Sequence, residues 1–333
     1  MFYLFFCLLI ANILILKFHY KLSKILNIYD EPDNKVKLHS SNISLLGGPI
    51  VFLNLVILYY FFLIDNNQRL NIFDKNFYEL NINSLLIISG CFFLIGLYDD
   101  KFKIKPTKKI FIFVFLIILS IFFDKNLILE KINLFDKIIV FESFILSIFF
   151  TVFCFLAFIN AFNFFDGINL QVGLYSIFIV LIFLSKSLFL SYWITFLFAI
   201  LTYVILNFKN KIFLGDSGTL LISFIFSYFF IVYHNKFNLF SADEIFLIMF
   251  LPGIDMIRLF IYRLKSKKNP LFGDREHIHH LISKKFKTSL VPVISITLCS
   301  LPYLFNLIFN SSLIIILISI FLYTLIFLRL KNN

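Results

Sequence analysis

The run Ser84-Leu85-Leu86-Ile87-Ile88-Ser89-Gly90-Cys91-Phe92-Phe93-Leu94-Ile95-Gly96-Leu97-Tyr98 passes without a break into Asp99-Asp100-Lys101-Phe102-Lys103. Its first part suits hydrocarbon, since a membrane-spanning helix needs about 20 mostly apolar residues. A carboxylate is costly near hydrocarbon. A span that ends on two of them therefore places a polar group at the membrane–water boundary. The same pattern of an apolar run closed by acids or amides recurs along the whole chain.

The composition agrees. The chain has 333 residues and is 60% hydrophobic, against roughly 45–50% for soluble domains, and its mean hydropathy is +0.94. An all-α polytopic membrane protein is expected, with residues 1–333 forming one integral membrane domain. The 50 phenylalanines read as lipid-facing filler. Cys7, Cys91, Cys154 and Cys299 are far apart in apolar runs and read as small buried hydrophobes. Met1 to Leu16 lacks a basic start and a small-residue cleavage site, so it reads as a retained helix.

Eleven candidate spans follow from the length rule: 1–19, 46–64, 84–98, 109–123, 138–159, 168–185, 187–206, 218–234, 244–262, 289–309 and 311–328. Lys and Arg set the orientation. The odd-numbered connections and the C-terminal tail carry 23 of the 30 basic residues, and the even-numbered connections carry 7. The expected N-terminus is outside and the C-terminus cytoplasmic. The net charge of +11 then reports membrane topology, and no nucleic-acid partner is expected.

Six polar clusters fall on the expected cytoplasmic side: Asp30-Glu31-Pro32-Asp33, Asp99-Asp100, Asn160 to Gly167, Phe213 to Gly218, Asp255, and Asp274 to His280. The adjacent acids Asp99 and Asp100 repel each other and call for a cation. With Lys101, Lys103, Lys105, Lys108 and Lys109 behind them, they could hold Mg²⁺ and a phosphate together. Asn160 and Asn163 share a helix face, and Asp166 continues the row. Their amides offer donors and acceptors to a sugar or a uracil. Glycines on both sides of Asp216 allow close backbone approach, and the helix that follows would offer free N–H groups to an anion. His277, His279 and His280 lack the usual zinc spacing, so a diphosphate beside Arg275 suits them better. Polar groups gathered on one face fit an enzyme joining a soluble anion to a lipid.

Together these motifs resemble the polyprenyl-phosphate N-acetylhexosamine-1-phosphate transferases, glycosyltransferase family 4. The resemblance runs from Asp30 to His280. It takes in Asp30 to His39 with Gly47-Gly48, Gly96 to Asp100 with Pro106 and Lys109, and Asn160, Asn163, Asp166 and Gly167. It continues through Phe213 to Gly218, then Pro252, Asp255 and Arg263, and His277-Ile278-His279-His280. The His-Ile-His-His form is similar to the GlcNAc-1-phosphate branch. The chain departs from the family at Asn169 and Leu170, where an acid and a glycine are common, and at Asn207, which stands about one residue closer to the Gly-Asp-Ser-Gly loop than usual.

The resemblance implies transfer of a sugar 1-phosphate from a UDP-sugar to a polyprenyl phosphate, in a bacterial inner membrane and facing the cytoplasm. Mg²⁺ is the implied cofactor, with Mn²⁺ as a substitute, and a homodimer is compatible with it. Asp216 would hold the metal, with Asp166 near it. Asp99 would position or deprotonate the lipid phosphate, with Asp100 beside the metal. Lys109, His277, His279 and His280 would meet phosphates, and Asn163 and Asn207 would read the nucleotide. Lys37, His39, Asn160, Asp255 and Arg275 complete the expected substrate contacts. A secondary transporter or lipid flippase is the rival class, but it should place ionisable groups near the midplane of broken helices.

Overall fold

The computed structural model describes residues 1–31, 42–68, 72–267, 269 and 276–331. The helices are α1 Phe2–Leu26, α2 Gly47–Gln68, α3 Ile82–Phe102, α4 Pro106–Phe123, α5 Phe144–Phe165, α6 Gln171–Ser185 and α7 Leu190–Phe208. They continue with α8 Gly215–Phe237, α9 Ala242–Ile248, α10 Phe250–Lys265, α11 Ile278–Lys285, α12 Val291–Phe309 and α13 Ser312–Lys331. The described residues also form two short antiparallel pairs, β1 Tyr29–Asp30 with β2 Ile43–Ser44, and β3 Lys131–Leu134 with β4 Lys137–Val140. Helices dominate because a backbone in hydrocarbon must satisfy its own hydrogen bonds.

All eleven expected segments contain helix, but they are not eleven equal spans. Among the described residues nine helices are long and apolar enough to cross a membrane. A tenth candidate is α9 with α10, bent by 83°. The bend follows Met249, and Pro252 sits in the first turn of α10. Proline has no N–H to donate, and in the first turn of a helix that N–H would have no partner within the helix. The eleventh, α6, has 15 residues, about 22 Å of helix against a hydrocarbon core of about 30 Å. The expected fifth span also begins too early. Residues 137–140 pair with 131–134 in a hairpin, and the helix starts only at Phe144. Phe135 and Asp136 turn that hairpin with φ of 50° and 60°, the two-residue geometry that matches strand twist.

The chain divides into two compact units. The first is Met1–Ile104, Phe122–Asp124 and Gly173–Ile225; the second is Lys105–Ile121, Lys125–Val172 and Phe226–Asn333. In the first unit, α1, α2 and α7 pack on one another. Buried Asn12 of α1 and Asn54 of α2 exchange amide hydrogen bonds of 2.7 and 3.2 Å, the polar link that helices use where the hydrophobic effect cannot drive association. In the second, α5 packs on α10, and α12 packs on α9, α10 and α13.

Candidate active site

In the first unit the glycine motifs meet. Ser44 bridges Ile212 in parallel, and Phe213 N–H donates to the Ser44 carbonyl at 2.8 Å. Gly47 and Gly48 N–H groups donate to the carbonyls of Phe213 and Leu214, both at 3.1 Å. A Cβ on Gly96 would stand 2.3 Å from the Ser217 Cα, and one on Gly48 would stand 2.6 Å from the Gly218 nitrogen. The ends of α2, α3 and α8 therefore touch backbone to backbone, which no larger residue permits.

This contact fixes the acids. Asp100 is buried, and its carboxylate accepts the N–H groups of Asp216 at 2.8 Å and Ser217 at 3.1 Å. The N–H groups at the start of α8, expected to await an external anion, are taken by an anion of the chain itself. A carboxylate is stabilised there by the helix dipole. Gly215 has φ +73°, and a Cβ on it would come 2.7 Å from Asp100 Oδ2. Asp99, 2% exposed, accepts the Ile104 N–H at 2.6 Å. The adjacent acids thus point about 100° apart around α3, and each accepts backbone N–H groups. Asp216, half-buried in the first turn of α8, stands where Asp100 sets it. Asn207 is buried, and its amide donates to the Ile212 carbonyl at 2.7 Å, holding the loop before that motif.

In the second unit Asp255 organises the histidines. It is buried in α10 and accepts from Arg258 at 2.7 and 3.0 Å and from the Tyr323 hydroxyl at 2.8 Å. Its other oxygen lies 3.1 Å from His277 Nδ1 and accepts the Ile278 N–H, the first of α11, at 3.2 Å. Arg258 also donates to the Glu276 carbonyl at 2.7 Å. Asp255, one of the expected substrate contacts, anchors the start of the histidine helix.

His277 and His279 stack with ring centroids 5.4 Å apart, and His280 meets His279 edge-on at 4.3 Å. His279 is 1% exposed, and among the described residues neither ring nitrogen has a hydrogen-bond partner. Burial first, then the imidazoles of His280 and His277, push it well below the usual imidazole range, so it is held neutral. A Cβ on Gly167 would meet His279 Nε2 at 2.1 Å. The Asp166-Gly167 corner and the histidine helix are therefore in direct contact, and only glycine leaves room for that ring. Phe164 packs 5.6 Å from His277, and the buried Arg263 guanidinium lies 5.8 Å from the Phe164 ring.

Asn160, Asn163 and Asp166 form the expected row at the end of α5, all half-buried. The Asn160 amide donates to the Leu156 carbonyl at 2.7 Å. Lys109 is half-buried in α4. Lys37, His39 and Arg275 lie outside the described residues. Sequence reasoning missed Arg258 and Tyr323 as site-building residues. Arg258 was counted only as a topology charge, and a tyrosine in an apolar span carries no local signal.

Mg²⁺ takes oxygen donors, commonly one or two carboxylates with substrate phosphates and water. Among the described residues no three His, Cys, Asp or Glu side chains group as a metal cage. Asp216 in the first unit and Asp166 in the second are each half-buried hard donors. Taken by itself, either carboxylate suits a Mg²⁺ that arrives with a diphosphate and water, not an ion in a prebuilt cage.

Residues 82–234 match the family model described as glycosyl transferase family 4. Over that segment the chain is similar to the family that its motifs resemble. It is 29% identical over 292 residues to the undecaprenyl-phosphate alpha-N-acetylglucosaminyl 1-phosphate transferase of Salmonella typhi, covering 83% of this chain and 74% of that protein. The enzyme of the same name from Thermotoga maritima (strain ATCC 43589 / DSM 3109 / JCM 10099 / NBRC 100826 / MSB8) is 27% identical over 316 residues, 91% of this chain and 90% of that one. That of Escherichia coli (strain K12) is 29% identical over 304 residues, 86% and 77%.

Proposed function

We propose that this protein transfers N-acetylglucosamine 1-phosphate, or a close N-acetylhexosamine analogue, from its UDP derivative to a polyprenyl phosphate. The observation that carries this is the family match over residues 82–234, the segment that holds Asp99-Asp100, Asn160 to Gly167 and Phe213 to Gly218. The shared name of the relatives supports the substrates.

A lipid-phosphate oxygen forms a new bond to the sugar-bearing phosphorus. The bond from that phosphorus to the bridging oxygen breaks, and UMP leaves with the electron pair. A phosphate monoester has its second pKa near 6, so the acceptor is already mostly dianionic at neutral pH and a general base adds little. The larger barrier is the meeting of two anions. Mg²⁺ bound with the diphosphate would neutralise part of that charge, and Asp216 is the carboxylate assigned to it. Asp99 orients the acceptor phosphate, and Asp100 holds Asp216 in place. His279, buried and neutral, is assigned to a phosphate oxygen or its proton, while Asp255 and Arg258 keep its helix in position. Asn163 and Asp166 face the polar part of the donor.

The site is assigned to the cytoplasmic face of a bacterial inner membrane on the distribution of Lys and Arg, and the reaction to the start of cell-envelope polysaccharide synthesis. Among the described residues the broken span α9–α10 is a feature that favours a transporter. Its acid, Asp255, is bonded to Arg258, His277 and Tyr323, so it is engaged within the protein and not offered to a cargo.

The test is a panel of UDP-sugars with labelled polyprenyl phosphate, added to inverted and to right-side-out membrane vesicles. A slower-migrating labelled lipid should form with UDP-N-acetylglucosamine in inverted vesicles only. Product from right-side-out vesicles alone would reverse the orientation, and no product with any sugar would remove the proposed activity.

A further inference from the structure

A cavity of about 310 Å³ lies against α12 and α13 in the second unit, and its lining reaches Ile278 of the histidine helix. Its floor includes Leu251, Ile278, Pro302 and Tyr323, all buried. Its rim is exposed: Leu301, Phe305 and Phe309 from α12, and Ile318 and Leu322 from α13. Ser319 and Tyr323 are the polar side chains lining it, and the Tyr323 hydroxyl is already turned to Asp255. Among the described residues no charged side chain lines it. Such a space is too apolar to hold water and far larger than the voids of a packed interior. Hydrocarbon is what it suits.

Depth and charge narrow the occupant. From Leu298 to Phe309 the groove follows α12 for about 16 Å, roughly half the hydrocarbon core, which is the depth of one leaflet. One acyl chain fits that length, whereas a polyprenyl tail would leave most of itself outside. Ile326 is the last groove residue on α13, and cations gather around its neighbour Phe327. The Arg258 guanidinium is 4.4 Å and the Lys331 amine 6.0 Å from that ring. The exposed Lys285 amine donates to the Arg329 carbonyl at 2.6 Å. Basic groups at the end of an apolar intramembrane groove suit an anionic headgroup. We propose that this groove binds one acyl chain of an anionic phospholipid, with its phosphate at the cluster of Lys285, Arg329 and Lys331.

The test places the full chain in phosphatidylcholine nanodiscs with a trace of phosphatidylglycerol bearing a diazirine on its acyl chain, and maps the crosslinks by peptide mass spectrometry. Label should concentrate on residues 298–326. Unlabelled phosphatidylglycerol should compete better than phosphatidylcholine by about fivefold for each engaged lysine. Ser319→Trp, which fills the groove floor, should remove most of the label. The double variant Lys285→Gln with Lys331→Gln changes only exposed side chains, so it should fold even if Ser319→Trp does not. It should erase the preference for phosphatidylglycerol. Label spread evenly over all helices, or equal competition by phosphatidylcholine, would mean bulk lipid only and overturn the proposal. An unchanged preference in the lysine variant would overturn it as well. Displacement best achieved by polyprenyl phosphate would give the groove to that lipid instead.

Discussion

Asp100 and Asp255 are both buried acids that take hold of a helix start, one in each unit, and they are compensated differently. Asp100 accepts the N–H groups of Asp216 and Ser217 at the head of α8. Asp255 accepts one N–H, from Ile278, and adds Arg258 and Tyr323, with His277 beside it. Two backbone N–H groups at a helix start hold the Asp100 carboxylate where backbone packs against backbone, as Gly96 and Gly215 allow. Where three side-chain elements must be tied to a helix of eight residues, α11, a full ion pair is used instead.

The largest effect should follow from breaking that pair. Asp255→Ala leaves Arg258 and the Tyr323 hydroxyl without their shared acceptor and should cost about 3–5 kcal/mol. Thermal unfolding of the purified protein measures this, and hydrogen exchange should show α11 opening first. Asp100→Asn is milder, because the amide keeps one acceptor oxygen. It loses a single N–H bond and the charge at the helix start, about 1–2 kcal/mol, with exchange rising over residues 213–220. A cost for Asp100→Asn equal to that of Asp255→Ala would show that the two acids do the same work.

Acid should separate the units with a smaller effect. His279 has its folded pKa below the ordinary imidazole value of about 6.5. The unfolded chain therefore binds the proton first. Its stabilisation is complete above about pH 6.5 and is lost as pH falls below it, by at most about 1.4 kcal/mol per pH unit. Lowering the pH from 7.5 to 5.5 should raise hydrogen exchange in residues 276–286 before residues 213–225. His279→Gln should abolish that difference.

Much of this was legible in the sequence because hydrocarbon imposes a length and water imposes polar ends. The nine long apolar helices among the described residues and the row Asn160, Asn163 and Asp166 follow from those two constraints. The break at Met249 had a local signal in Pro252-Gly253 that the apolar run concealed. The hairpin 131–140 lacked an Asn-Gly or Asp-Gly turn, so its apolar strand Ile138-Ile139-Val140 passed for the start of a span. The capping roles of Asp100 and Asp255 were not legible at all. Each depends on a partner brought by tertiary packing, 116 residues away for Asp216 and 68 for Tyr323.

The proposed chemistry moves a phosphorus atom together with the sugar. Purified protein given UDP-N-acetylglucosamine labelled with ³²P on the sugar-bearing phosphate, together with polyprenyl phosphate, should carry that label into the organic phase and release one UMP per lipid product. Sugar appearing on the lipid while the ³²P stays in soluble UDP would contradict phosphosugar transfer, as would the absence of any lipid-bound label.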